Sequence, residues 1–199
     1  ITFGIALSAQ TFLIDELKFD LRIYVLVSGV DPLRVFIYKE GLCRLSTVKY
    51  QAPTAGNLNN LYMHLTNYAI NKSHKNYEKN GGDDIGHKRS LTYTMKYIQD
   101  LGHDSTKVMN EFKRLLSNLC LQFNRNLRIP TDRVSQMTLK TPCALKSWGS
   151  TYSLMESKAW IIEVNHAPSF VCDTPLDTKI KRGLLIDVFN ILNLSIAKK

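Results

Sequence analysis

The chain has 199 residues, 44% of them hydrophobic and 10% aromatic, which is the composition of a folded domain with one sizeable core and excludes a disordered segment. No apolar run approaches the roughly 20 residues a membrane-spanning helix needs, and the first ten residues lack the basic start of a secretory signal. The net charge is +9, and the stretch from Lys107 to Lys146 holds eight basic residues against two acidic ones, so an acidic partner is expected. Without an initiator Met, the sequence reads as a fragment. The four cysteines, Cys43, Cys120, Cys143 and Cys172, are far apart and form no metal spacing, which leads us to expect reduced thiols in an intracellular protein.

In chain order, "LKFDLRIYVLV" (17–27) and "LRVFIYKEG" (33–41) are β-rich runs joined by a turn containing Gly29, Asp31 and Pro32, the pattern of an antiparallel hairpin. Alternation puts Leu21, Ile23, Val25 and Val27 on one face and Lys18, Asp20, Arg22 and Tyr24 on the other. Such a polar face suits a cleft for a polyphosphate and its metal; the other reading is a surface network in which Asp20 neutralises its cationic neighbours. A third β-like run follows at 42–50, carrying Arg44 and Lys49. "LYMHLTNYAINK" (61–72) comes next, and then a glycine-containing polar stretch, expected to be a mobile basic loop over 73–91. Helical spacing of Val108, Phe112, Leu115, Leu116 and Leu119 predicts a helix over about 104–123, and Ile180, Leu184, Val188 and Ile191 predict a last one over about 176–194.

Between these helices, "WIIEVNHAPSF" (160–170) opens as a buried strand yet places Glu163 and Asn165 on one face. A buried carboxylate needs a partner, and paired hard oxygens suit magnesium; an edge strand with a solvated Glu is the alternative. No internal repeat and no nucleic-acid motif accompany the charge.

The stretches "FLIDELKFDLRIYVLVSGVDPLRVFIYKEGLCR", "MHLTNYAINK", "HKRSL" and "WIIEVNHAPSF", with the helix around "IKRGLL", resemble the tubulin tyrosine ligase-like enzymes, and within them most the polyglutamylases. The resemblance implies an α+β fold, ATP-grasp-like, of which this chain supplies the central and C-terminal portion with antiparallel sheet and flanking helices. Residues 1–199 would form a partial domain of this type, its N-terminal half absent. It implies ATP and magnesium as cofactors, Lys18 and Asp20 at the nucleotide, and Glu163 and Asn165 on the metal. Arg22, Arg44, Thr66 and Asn67 would serve catalysis, and Lys72, Lys88 and Arg89 would meet the substrate. The implied reaction adds free glutamate to glutamate side chains of an acidic tubulin tail through an acyl phosphate. No nucleic acid or membrane partner is implied, and the implied location is the cytoplasm, at microtubules, the cilium or basal body included. One departure stands out. The family carries a further metal-binding Asp in a glycine-phenylalanine-aspartate context thirteen residues before the metal Glu, and here that position is Ser150. A neutral hydroxyl there raises the alternative of a catalytically inactive tubulin-binding module.

Overall fold

The computed structural model of the chain describes residues 11–30, 32–78, 82–126, 144–153, 158–165 and 168–193. Among the described residues, six strands form one antiparallel sheet: β1 (Leu13–Ile14), β2 (Leu17–Val30), β3 (Leu33–Leu45), β4 (Lys88–Ser90), β5 (Ala144–Ser153) and β6 (Lys158–Asn165). Their order is β4-β3-β2-β5-β6, with β1 paired to β2. Five helices of the described residues flank it: α1 (Leu61–His64), α2 (Tyr68–Asn71), α3 (Leu91–Asp100), α4 (Ser105–Asn126) and α5 (Pro175–Leu192). The class is α+β, as expected.

The alternation along β2 decides what lies on each side. Phe19, Leu21, Ile23 and Val25 are sealed from solvent and pack with Ile98 of α3 and with Val108, Phe112 and Leu116 of α4. Each fully buried side chain of this size stabilises the fold by roughly 1.5–3 kcal/mol, so α4 is held by its stripe rather than by its polar sequence. The opposite face is divided. At one end Tyr24, Leu26 and Leu42 lie beneath Leu176, Ile180, Leu184 and Val188 of α5. At the other end, Lys18 and Asp20 are buried.

Three helix starts are capped by their own sequence, that of α4 by the Asp104 carboxylate, which accepts from the Lys107 amide at 3.0 Å. The Ser90 hydroxyl accepts from the Tyr93 amide (3.1 Å) to start α3, and Thr174 accepts from the Asp177 amide (3.1 Å) to start α5, with Pro175 in its first turn.

Three features differ from expectation. The run at 42–50 is no separate strand, because β3 continues through Gly41 to Leu45. Gly41 is a point of close approach rather than a turn: a Cβ there would lie 2.6 Å from the Arg22 carbonyl oxygen, next to a register shift between β2 and β3. Helix α3 was not anticipated, since its Thr and Tyr content masks the Leu91, Thr94, Ile98 stripe that it buries. In α5 the stripe ends at Val188; Ile191 is exposed. Arg128, Arg133 and Lys140 of the basic segment, and His166 and Ala167 of "WIIEVNHAPSF", lie outside the described residues.

Candidate active site

The register writes the polar face as three rows across the sheet. Lys88, Arg44 and Asp20 pair in the first. Ser90, Leu42, Arg22, Gly149 and Glu163 follow in the second, and Tyr24, Ser147 and Asn165 in the third. Chain segments up to 141 residues apart therefore meet at neighbouring positions.

Asp20 is the centre of the first row. It is 3% exposed and accepts two hydrogen bonds from Arg44, Nε to Oδ1 at 2.7 Å and a terminal nitrogen to Oδ2 at 2.5 Å. The Thr66 hydroxyl donates to the same Oδ2 at 2.6 Å. Burial opposes the charge on Arg44, but Asp20 outweighs it and leaves the guanidinium more basic than usual. This fork is the bidentate geometry that best satisfies a buried carboxylate. Lys18 lies alongside; burial lowers its pKa and the charge of Asp20 opposes the shift.

Thr66 is delivered by a second buried polar device. Asn71, 1% exposed, accepts from the amide and hydroxyl of Thr47 (3.1 and 2.9 Å) and donates to the carbonyls of Leu65 and Asn67 (2.8 and 3.1 Å). One amide side chain thus satisfies four groups and fixes the turn that carries Thr66 and Asn67. Asn67 itself is exposed at the start of α2. Asn71 was missed in the sequence, where only its place four residues after Asn67 hinted at a helical partner.

The second row holds a looser pair. Arg22 donates to Glu163 Oε1 at 3.1 Å, with side-chain exposures of 14% and 44%. Burial first, then the neighbouring charge of Arg44, lowers the Arg22 pKa, while Asp20 and Glu163 oppose the shift. Glu163 and Asn165 are both half-buried on β6. A carboxylate and an amide oxygen two residues apart on one strand are donors of the type magnesium takes, and Glu163 keeps enough exposure to add a cation, so this donor set fits the ion. No cluster of three His, Cys, Asp or Glu occurs among the described residues. The backbone pairs Gly149 with both Arg22 and Glu163, and Ser150 with Leu21 and Ile161, so the residue across from Glu163 is the glycine.

Lys88 and Arg89 do not lie in a loop: they form β4, and that end of the expected 73–91 loop is sheet edge. Both are buried and paired, Lys88 with Asp177 at 2.7 Å and Arg89 with Asp15. Arg89 thereby braces the β1–β2 turn, whose Asp15 and Glu16 both have positive φ (51° and 63°). Lys72 is exposed, its ammonium 5.5 Å from the Tyr68 ring.

With this cluster in view, comparison with known proteins is decisive: residues 11–198 match the tubulin-tyrosine ligase family. The chain belongs to that family. It is 40% identical over 188 residues to a probable beta-tubulin polyglutamylase of Tetrahymena thermophila, covering 92% of this chain and 16% of the relative. It is 36% identical over 193 residues to the mouse tubulin polyglutamylase TTLL7 (96% and 21%), and 37% identical over 187 residues to the zebrafish tubulin polyglutamylase ttll6 (94% and 24%). The chain therefore spans less than a quarter of the length of these relatives. No helix among the described residues is long and apolar enough to cross a membrane.

Proposed function

We propose that the chain is the central and C-terminal portion of an ATP-grasp-like ligase that adds glutamate to glutamate side chains of an acidic tubulin tail. The observation that carries this reading is the convergence of Lys18, Arg22, Arg44 and Glu163 on one sheet face in a chain related to polyglutamylases. A carboxylate is a poor electrophile. Transfer of the γ-phosphoryl group from ATP to it, with ADP leaving, gives an acyl phosphate; the amine of free glutamate attacks the acyl carbon, the C–O bond to phosphate breaks, and an amide remains. Arg22 and Arg44, two guanidiniums held in fixed positions, are suited to stabilise charge on the transferring group without reorganising. Lys18 and Asp20 stand at the nucleotide, Asp20 through the Arg44 that it orients. Glu163 and Asn165 would hold magnesium, which when bound neutralises phosphate charge. Thr66 keeps Asp20 and Arg44 aligned, Asn67 is exposed toward solvent and substrate, and Lys72 offers a cation to the acidic tail.

The inactive tubulin-binding module is not favoured, because the relatives that match over nearly the whole chain are named for catalysis. Ser150 remains the departure to resolve, and the genetic code bears on it. Read two bases late, Trp148–Gly149 encodes Gly whatever synonymous codons are used, and Ser150–Thr151 encodes Asp, Asn, His or Tyr. With Ser150 on a TCN codon, the residue between them is Phe, Leu, Ile or Val. With Ser150 on TCG, a paired slip of reading frame would replace Trp-Gly-Ser-Thr by a Gly-apolar-Asp pattern, and sequencing the transcript there tests this by whether that Asp is present.

The test of function is mass spectrometry of tubulin tail peptides incubated with full-length protein, ATP, magnesium and glutamate. Added glutamate is expected for the wild type and none for Glu163→Gln. Full activity in Glu163→Gln would remove the metal role from β6.

A further inference from the structure

A second cationic cluster lies where β4, α2 and α5 meet. Lys88 Nζ donates to Asp177 Oδ2 at 2.7 Å and sits 4.4 Å from the centre of the Tyr68 ring. Lys181, one turn along α5, donates to the Val171 carbonyl and lies 3.6 Å from Asp177 Oδ1, beyond hydrogen-bond range. The side chains of Lys88, Lys181 and Asp177 are only 10%, 9% and 2% exposed. Asp177 Oδ1 is buried with no hydrogen-bond partner among the described residues.

Two ammoniums thus share one carboxylate. An ammonium carries three donors, and each of these spends one on a hydrogen bond to a described partner. The remaining donors are largely cut off from water, and a buried cation without full compensation is costly. Asp173 adds little, being exposed and hydrogen-bonded to Tyr68. Such an arrangement has room for a ligand's charge to complete it. The surplus is a single positive charge, which matches one carboxylate rather than a phosphate dianion. The cluster and the arginine cleft meet on one row of the sheet: Lys88 of β4 pairs with Arg44 of β3, which pairs with Asp20 of β2.

We propose that Lys88 and Lys181 together seat a carboxylate of the free amino acid, with Lys181 as a specificity-determining residue; this rests on the ligase reading above. Lys88 brings the seat from β4, and Asp177 spaces the two ammoniums so that a ligand oxygen can bridge them. The free amino acid has two carboxylates, on the main chain and on the side chain, and either offers the required chemistry.

The test is steady-state incorporation by the full-length protein on a tubulin tail peptide, comparing glutamate, glutamine and isoglutamine. Lys181→Gln is expected to raise the KM for glutamate by about 10- to 100-fold, the loss of one charged hydrogen bond, while the KM for ATP stays unchanged. The variant should also stop discriminating against whichever analogue lacks the seated carboxylate: isoglutamine for the main chain, glutamine for the side chain. Thermal unfolding checks that the variant folds. Should it not, Lys181→Arg, which keeps the charge but replaces a compact ammonium by a longer planar fork, carries the same test through glutamate KM alone. An unchanged glutamate KM in a folded variant overturns the seat and leaves Lys181 as a counter-ion of Asp177. A wild type that incorporates no glutamate refutes the ligase reading and the seat with it, whereas wild-type incorporation with unchanged KM refutes the seat alone.

Discussion

Asp20 and Glu163 both face the cleft and both meet an arginine, yet their surroundings are opposite. Asp20 is sealed, with three hydrogen bonds from Arg44 and Thr66. Glu163 is 44% exposed and has one among the described residues, from Arg22. A buried carboxylate with three of its roughly four lone-pair sites engaged positions its neighbours, and an exposed one with most sites open can take a ligand cation. The difference of role is set by partner count and burial, since the residue types are chemically alike. The largest expected effect follows. Asp20→Asn leaves Arg44 buried without its counter-charge and should cost about 3–5 kcal/mol of stability, whereas Glu163→Gln at a half-exposed pair should cost no more than about 1 kcal/mol. Denaturant unfolding of the two variants side by side measures this, and equal losses would break the distinction.

A smaller change sharpens it. Thr66→Val keeps the shape of the side chain and deletes the 2.6 Å hydrogen bond to Asp20 Oδ2. Removing a hydrogen bond to a charged group inside the protein should cost about 1.5–3 kcal/mol, and Arg44 should remain in place because its two bonds to Asp20 survive. Activity should therefore fall less than in Asp20→Asn. A Thr66→Val protein as inactive as Asp20→Asn would mean that Thr66 touches substrate rather than Asp20 alone.

These contrasts explain which parts of the site were legible in the sequence. Period-two alternation in "LKFDLRIYVLV" placed Lys18, Asp20 and Arg22 on one face, because one face of β2 had to be apolar to meet α4. The same rule placed Glu163 beside Asn165. What alternation does not carry is the pairing register, which alone sets Arg44 beside Asp20 and Gly149 across from Glu163. Lys88 and Arg89 read as loop residues since a three-residue strand after a polar stretch has no period to detect, and their partners Asp177 and Asp15 are 89 and 74 residues away. Gly41 read as a boundary because a glycine needed for close backbone approach looks the same in sequence as one needed for a turn.

The smallest effect appears only on acidification and belongs to Asp177, the buried carboxylate in the first turn of α5. Burial alone would raise the Asp177 pKa, but the hydrogen bond and charge of Lys88, the charge of Lys181 and the Thr174 hydroxyl outweigh it and hold the carboxyl below its ordinary value of 3.8. The unfolded chain therefore binds this proton more readily than the folded one. The stabilisation is fully present above the unfolded value and is lost as pH falls through the lower folded value. Asp177→Asn removes it at every pH. The stability gap between wild type and Asp177→Asn should be constant from neutral pH to about pH 5 and narrow below about pH 4, because both proteins share every other titrating group. Urea unfolding across that range measures the gap. A gap that stays constant in acid would show that Asp177 acts by packing and capping of α5 alone, and Lys88 and Lys181 would then need another anion to hold their place.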